Sequence, residues 1–189
     1  MIDGSSQSDF AQAVLPHLDA AYNLARWLTG SRSDAEDVVQ EALLKAFKYF
    51  SGLRGSDARP WLLTIVRRTC FTWLRANRPR QLVFTDDDAG LEAQNRATVV
   101  TLHPRAADTP ESLLSEKEMK AQLNAAVEAL PPHYREVVIL REIHNLSYKE
   151  IADIAEIPVG TVMSRLARAR DVLLSRLKGP MPGEVANGL

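Results

Sequence analysis

SYKEIADIAEIPVGTVMSRLARAR, residues 147–170, decides the fold. Ser147 followed three residues later by Glu150 is a capping box, in which each side chain satisfies a backbone N–H of the other residue. It opens a short helix over residues 148–155. The break Glu156-Ile157-Pro158 separates it from a longer helix that runs to about Lys178. Val162, Leu166, Ala169, Leu173 and Leu177 form the apolar stripe of that helix, at the three-and-four spacing that buries one face. Two helices joined by a tight break make a helix-turn-helix. Ala152 supplies the small residue where the helices touch, and Val162, ten residues on, anchors the second helix. Thr161, Ser164, Arg165 and Arg168 are expected on its exposed face, with Arg170 and Arg176 further round toward phosphate. Short polar side chains near a helix N-terminus approach base edges, and arginines reach guanine or phosphate. The bland alternative is an amphipathic hairpin in a bundle; the cationic face favours DNA. Glu156 stands where such turns usually carry glycine, and a positive φ there costs about 1 kcal/mol.

Working upstream, residues 133–144 read as a helix with Val137, Val138, Leu140 and Ile143 inward, begun by Pro131-Pro132. Residues 111–130 read as an amphipathic helix. Near the start of the chain, Val14, Leu18, Tyr22, Ala25 and Leu28 predict one helix over residues 10–28, ended by Thr29-Gly30. Ser33 and Glu36 suggest a second capping box, starting a helix at Asp34. Its stripe is Ala35, Val38, Val39, Ala42, Leu43, Ala46 and Phe47. SGLRGSDARP, residues 51–60, predicts a loop. A helix over 61–75 follows, with Leu62, Ile65, Val66, Thr69 and Trp73 on one face, until Asn77-Arg78-Pro79 stops it. The fold class is therefore all-α: two small helical domains, residues 1–80 and 117–178, joined by an acidic flexible linker over 81–116. The second domain holds the helix-turn-helix, and a disordered tail is expected over 179–189. Within the linker, the short apolar patch from Thr98 to Leu102 offers a surface that could dock, so the segment is not read as free coil throughout.

The charge distribution sharpens this division. The 189 residues carry a formal net charge of -1, but residues 1–80 are net +3, residues 81–116 net -5 and residues 117–189 net +1. Six arginines and no acid lie between Arg59 and Arg80. Five basic residues face one acid, Asp171, between Pro158 and Lys178. Two such stretches in a near-neutral chain suggest two phosphate-facing surfaces, or two solvated helix faces. No apolar run approaches the roughly 18 residues of a membrane span, and residues 1–9 lack the Lys or Arg of a secretory n-region. The one cysteine, Cys70, excludes an intramolecular disulfide, and a reduced, cytoplasmic compartment fits. Neighbouring arginines would lower its pKa; burial as a small hydrophobe is the commoner fate. His17, His103, His133 and His144 lack metal-ligand spacing, His133 and His144 reading as helix-surface residues. No metal, cofactor or enzyme site is expected.

These segments, in this order, resemble the sigma factors of the extracytoplasmic-function group, two-domain initiation factors of bacterial RNA polymerase. SDAEDVVQEALLKAF (33–47) is similar to their polymerase-binding helix, RPWLLTIVRRTCFTWLRANRPR (59–80) to the helix that handles the −10 element, and residues 129–170 to the −35-binding domain. The resemblance implies that Asp37, Gln40, Glu41, Leu44 and Lys48 face the β′ clamp helices of core polymerase. It implies −10 DNA contacts from Tyr49, Phe50, Arg59, Trp61, Arg67, Arg68, Arg75 and Arg78, with the 51–60 loop holding a flipped base. Trp61 reads equally as core, and Trp73 mostly so. Thr161, Ser164, Arg165, Arg168 and Arg170 would meet −35 DNA, and Met163 stands where many relatives carry a basic residue.

The implied partners are core RNA polymerase (β′ clamp helices and β flap), promoter DNA and an inhibitory anti-sigma protein, often membrane-bound, with no small-molecule substrate. The acidic linker would lie in the RNA exit path, though a passive tether explains the same charge. Two alternatives carry less weight. An ordinary helix-turn-helix regulator needs no polymerase-binding helix. A decoy that sequesters an anti-sigma factor would be expected to lose Arg165, Arg168 and Arg170, which are present.

Overall fold

The computed structural model describes residues 4–53, 57–82 and 110–177. Most of the expected linker and the expected tail lie outside the described residues, as does the Thr98–Leu102 patch. The described residues are helical and include no strand.

The N-terminal region comprises α1 (Gly4–Val14), α2 (Leu18–Thr29), α3 (Arg32–Lys48), α4 (Ala58–Asn77) and the short α5 (Pro79–Leu82). The single helix expected over 10–28 is in fact two. Pro16 has no N–H to donate and its ring crowds the preceding turn, so a 3-10 turn, Leu15–His17, intervenes. Gly30 then ends α2 in the left-handed region (φ 71°), where a side chain would be strained. The cap of α3 is Ser31, not Ser33: its hydroxyl accepts from the Asp34 N–H at 3.4 Å. Of the expected α3 stripe, Ala35, Val38, Ala42 and Ala46 are buried, while Val39, Leu43 and Phe47 pack half-buried on the core. The 51–60 loop is shorter than expected. Asp57 accepts from the Arg59 N–H at 3.1 Å and starts α4 at Ala58, with Pro60 tolerated in the first turn.

The C-terminal region comprises α6 (Pro110–Glu128), α7 (Pro132–Val138), α8 (Tyr148–Ala155) and α9 (Val159–Leu177). Helix α7 continues into a π turn, Ile139–Ile143, in which the His144 N–H donates to the Ile139 carbonyl at 3.1 Å. The extra residue rotates the register by roughly 100°. Ile143, expected inside, is therefore exposed, and His144, expected on the surface, is buried. In α9, Val162, Leu166 and Ala169 are buried as expected, Leu173 is half-buried and Leu177 is exposed.

The two regions do not stand apart. Their buried side chains form one continuous apolar cluster running from Val14 through Leu74 to Ala169. The seam lies where α4 meets α8 and α2 meets α7. There the Phe71 ring stacks on His133, centroids 4.9 Å apart.

Candidate nucleic-acid and partner interfaces

Helix α3 turns its apolar stripe inward, which leaves Asp37, Gln40, Glu41, Leu44 and Lys48 exposed together on its outer face. Leu44 is 73% exposed, and an apolar groove of about 560 Å³ lies beside it, lined by Phe10, Leu15, Gln40, Leu43 and Phe47. An exposed leucine ringed by carboxylates and an amide suits a partner that offers an apolar pocket rimmed by cations.

The cationic residues of α4 divide by environment. Arg68 and Arg75 are exposed. Arg78 is a structural clasp: it donates to the Thr29 carbonyl at 2.8 Å, approaches Asp34 at 3.5 Å and lies 5.2 Å over the Trp73 ring. Trp61 and Phe50 belong to an aromatic seam. Phe50 meets Trp61 edge-on at 6.4 Å and Phe10 at 5.3 Å, while Phe10 meets Phe47 at 5.1 Å. Both Trp61 and Trp73 pack half-buried on the core. Tyr49 is exposed and borders a cavity of about 310 Å³ with Lys45, Ile65, Arg68, Thr69 and Thr72. Lys45 donates to the Thr69 hydroxyl there at 3.4 Å. Two cations, a phenol ring and two hydroxyls can receive a phosphate or an unstacked base. Lys45, Thr69 and Thr72 were not singled out from sequence, because only tertiary packing brings α3 and α4 together around that cavity.

Three arginines of α4, Arg68 again among them, are engaged by the C-terminal region. Arg59 donates to the His144 carbonyl at 2.9 Å. Arg67, with a side chain only 13% exposed, donates to the carboxylate of Glu136, which is fully buried. Arg68 donates through Nε and Nη2, one edge of its guanidinium, to both oxygens of Glu156, the Nε contact at 3.0 Å, and holds that carboxyl below the usual carboxylate range. Cys70 is buried in the same α4, and desolvation, aided by the Glu136 charge, pushes its thiol up. The expected lowering by neighbouring arginines is thus not what this thiol shows: burial raises it.

The helix-turn-helix forms as read. Glu150 donates its N–H to the Ser147 hydroxyl at 3.3 Å, and the Ser147 hydroxyl at 2.6 Å and its N–H at 2.7 Å both donate to the Glu150 carboxylate, which lowers that carboxyl. Ala152 and Val162 are buried at the crossing. Glu156 takes the left-handed turn conformation, φ 57°, so the strain is borne. On α9 the outward line differs from expectation. Val159, Met163, Ala167 and Arg170 are exposed, whereas Thr161, Ser164, Arg165 and Arg168 are half-buried. The Arg165 Nη1 atom is buried. Arg170 lies 3.4 Å from Glu142, an ion pair exposed enough to contribute little. Among the described residues no group of His, Cys, Asp or Glu is placed to hold a metal, and no helix is long and apolar enough to cross a membrane.

Residues 13–80 match the family profile described as sigma-70 region 2, and residues 120–173 that of sigma-70 region 4. The ECF RNA polymerase sigma-E factor of Haemophilus influenzae is 35% identical over 149 residues, covering 78% of this chain and 77% of the relative. That of Escherichia coli K12 is 37% identical over 146 residues, covering 77% and 74%. Among solved structures, the sigma factor RpoE of Bartonella quintana, in complex with the anti-sigma factor NepR, superposes with a TM-score of 0.63 at 29% identity, covering 91% of this chain and 98% of that one. CnrH, bound to the cytosolic domain of CnrY, shares the fold with a TM-score of 0.61 at 22% identity, over 92% and 90%.

Proposed function

Since the chain belongs to the extracytoplasmic-function group of sigma-70 factors, and is thus a transcription initiation factor and not an enzyme, we propose how its surfaces divide that work. The exposed α3 face (Asp37, Gln40, Glu41, Leu44, Lys48) docks on the β′ clamp helices of core polymerase. The α4 side (Tyr49, Phe50, Arg59, Trp61, Arg67, Arg68, Arg75, Arg78) handles the −10 element, with Phe50 and Trp61 acting from the aromatic seam. Lys45, Thr69 and Thr72 join it through the cavity beside Tyr49. Helix α9 reads the −35 element through Thr161, Ser164, Arg165, Arg168 and Arg170. Residues 1–80 and 117–178 are the corresponding domains, tethered through 81–116. The chain acts in the bacterial cytoplasm, and an anti-sigma protein restrains it by covering the α3 face or wedging between the domains.

The observation that supports this most is the α3 face: five residues singled out by one helix register are all exposed, with Leu44 the most exposed large hydrophobic side chain among the described residues. The test is assembly with bacterial core polymerase, followed by run-off transcription from a promoter library at stated salt. Start-site-specific transcripts that require this chain are expected. Asp37→Ala should impair assembly and leave binding to −35 duplex DNA intact. Unchanged assembly would move the polymerase contact off α3.

A further inference from the structure

The outward line of α9 is not the one that its arginines predict. From Ile157 to Ser164 the sequence carries no charged residue. The side chains that stand out along the N-terminal half of the helix are Val159, 41% exposed, Met163, 48% exposed, and the small Ala167. They are spaced four residues apart and so share one face. The polar residues beside them are engaged or partly turned in. The Ser164 hydroxyl donates to the Thr161 carbonyl at 3.1 Å, Thr161 and Arg168 are half-buried, and one Nη of Arg165 is buried. Gly160 leaves the helix end bare, since no atom of the described residues lies within 4 Å of where its Cβ would stand. The exposed cations of α9 come later, at Arg170 and Arg176.

We propose that Met163 and Val159 read the −35 element by covering thymine methyl groups, so that at those positions this chain selects A·T pairs by apolar contact and not through an arginine–guanine fork. The proposal deepens the assignment of α9 to −35 DNA made above and rests on it. The second helix of a helix-turn-helix sets its N-terminal residues against base edges in the major groove. The apolar group that distinguishes a base pair there is the C5 methyl of thymine; the other marks are hydrogen-bond donors and acceptors. A thioether and an isopropyl group offer guanine no donor, and a polar base edge pressed against them loses its water without a replacement. A methyl group loses nothing polar, and apolar surface leaves water on both sides of the contact. The unbranched chain and polarizable sulfur of Met163 suit an irregular surface of this kind. Val159 and Met163 lie roughly 6 Å apart along the helix axis, so the thymines they cover stand within about two base-pair steps of each other. Arg170 and Arg176, further along α9, meet phosphate and hold the helix in the groove. Each covered methyl is worth about fourfold in affinity, the equivalent of about 0.8 kcal/mol.

The full chain, assembled with core polymerase, tests this on a promoter drawn from the run-off library. Each thymine of its −35 element, on either strand, is replaced in turn by deoxyuridine, which removes the methyl and keeps every hydrogen-bonding group. Holoenzyme binding is measured by fluorescence anisotropy. One or two thymines, no more than about two steps apart, are expected to respond, each substitution weakening binding about fourfold. Met163→Ala should weaken binding to the thymine promoter and bring the thymine-to-uracil ratio at one of those positions from about four to about one, the signature of a direct coupling. Met163→Leu, apolar and of similar volume, should restore most of the ratio. Met163 is exposed, so helix content by circular dichroism should be unchanged in these variants; Met163→Gln decides the question if Met163→Ala loses helix. A −35 element in which no thymine responds, or a ratio that survives Met163→Ala, overturns the methyl readout. Start-specific transcription that ignores the −35 element, or no specific transcription at all, overturns the assignment of α9 itself and the methyl readout with it. Transcription that needs the −35 element but is indifferent to its methyl groups overturns only the part given to Met163 and Val159.

Discussion

Replacing Arg135 with alanine removes the cation that ties α7 to the end of α2. Its guanidinium donates to the Trp27 carbonyl at 2.8 Å and to the Leu28 carbonyl at 3.4 Å. On its own side it donates to the Leu130 carbonyl at 2.7 Å and to the Glu128 carbonyl. The Trp27 and Leu28 carbonyls lie in the last turn of α2, where helix geometry leaves carbonyls without intrahelical donors. Each charge-assisted bond is worth about 1.5–3 kcal/mol, but burial of the cation, which also lowers its pKa, offsets part of that sum. Truncation should therefore cost about 3–5 kcal/mol, the range for breaking a buried charged contact. For a chain of this size that is a fall in Tm of roughly 10 °C. Arg135→Met keeps the apolar stem and removes only the charge, so most of the loss should remain. The assay is urea unfolding followed by far-ultraviolet circular dichroism and tryptophan fluorescence. Trp27, Trp61 and Trp73 all lie in the N-terminal region. An α7 substitution that shifts the fluorescence midpoint thus reports coupling across the seam. A loss below about 1 kcal/mol would refute the ledger of bonds, and an unmoved fluorescence midpoint would refute the coupling.

Acid should destabilise the chain through His144. Burial, with the Arg59 charge beside it, lowers this imidazole to about 4. The folded form then binds fewer protons than the unfolded one, so its stability is complete above pH 6.5. It is lost at up to about 1.4 kcal/mol per pH unit between 6.5 and 4. His144→Gln should flatten that slope in urea titrations between pH 7 and 5; an equal slope would place the acid sensitivity elsewhere. Cys70 should resist alkylation by iodoacetamide in the native chain and react at the rate of unfolding, because its thiol is buried and its pKa raised. Rapid labelling at neutral pH without loss of helix would contradict that burial. Glu156→Gly should leave thermal stability within about 1 kcal/mol of wild type, since relief of the positive φ and loss of a half-exposed ion pair to Arg68 nearly cancel. A larger drop in calorimetry would make the Arg68–Glu156 pair a principal fastener of the seam.

What could be read from the residues alone was set by how far each depends on its neighbours. The Ser147–Glu150 box, the Ala152–Val162 crossing and the α3 face all follow from contacts within a few residues or one helical register, and they stand in the structure. Boundaries failed where one residue competed with its neighbour. Ser31 caps α3 ahead of Ser33, and Pro16 splits a stripe that looked continuous. His144 was misplaced because a π turn has no signature in apolar spacing, and its one extra residue exchanges inside for outside. The seam was missed for a deeper reason. A row of arginines from Arg59 to Arg80 without an acid states a demand for oxygen acceptors, but not which acceptors. Their partners lie 69 residues away at Glu136 and 88 away at Glu156. One sign was present: Glu136 stands three and four residues before Ile139 and Leu140, on the face that must be buried. A carboxylate placed there is costly unless a cation from elsewhere meets it. The arginines of α4 lack acids on their own helix, so the charge pattern that reads as affinity for DNA is the same pattern that a folded-back carboxylate satisfies.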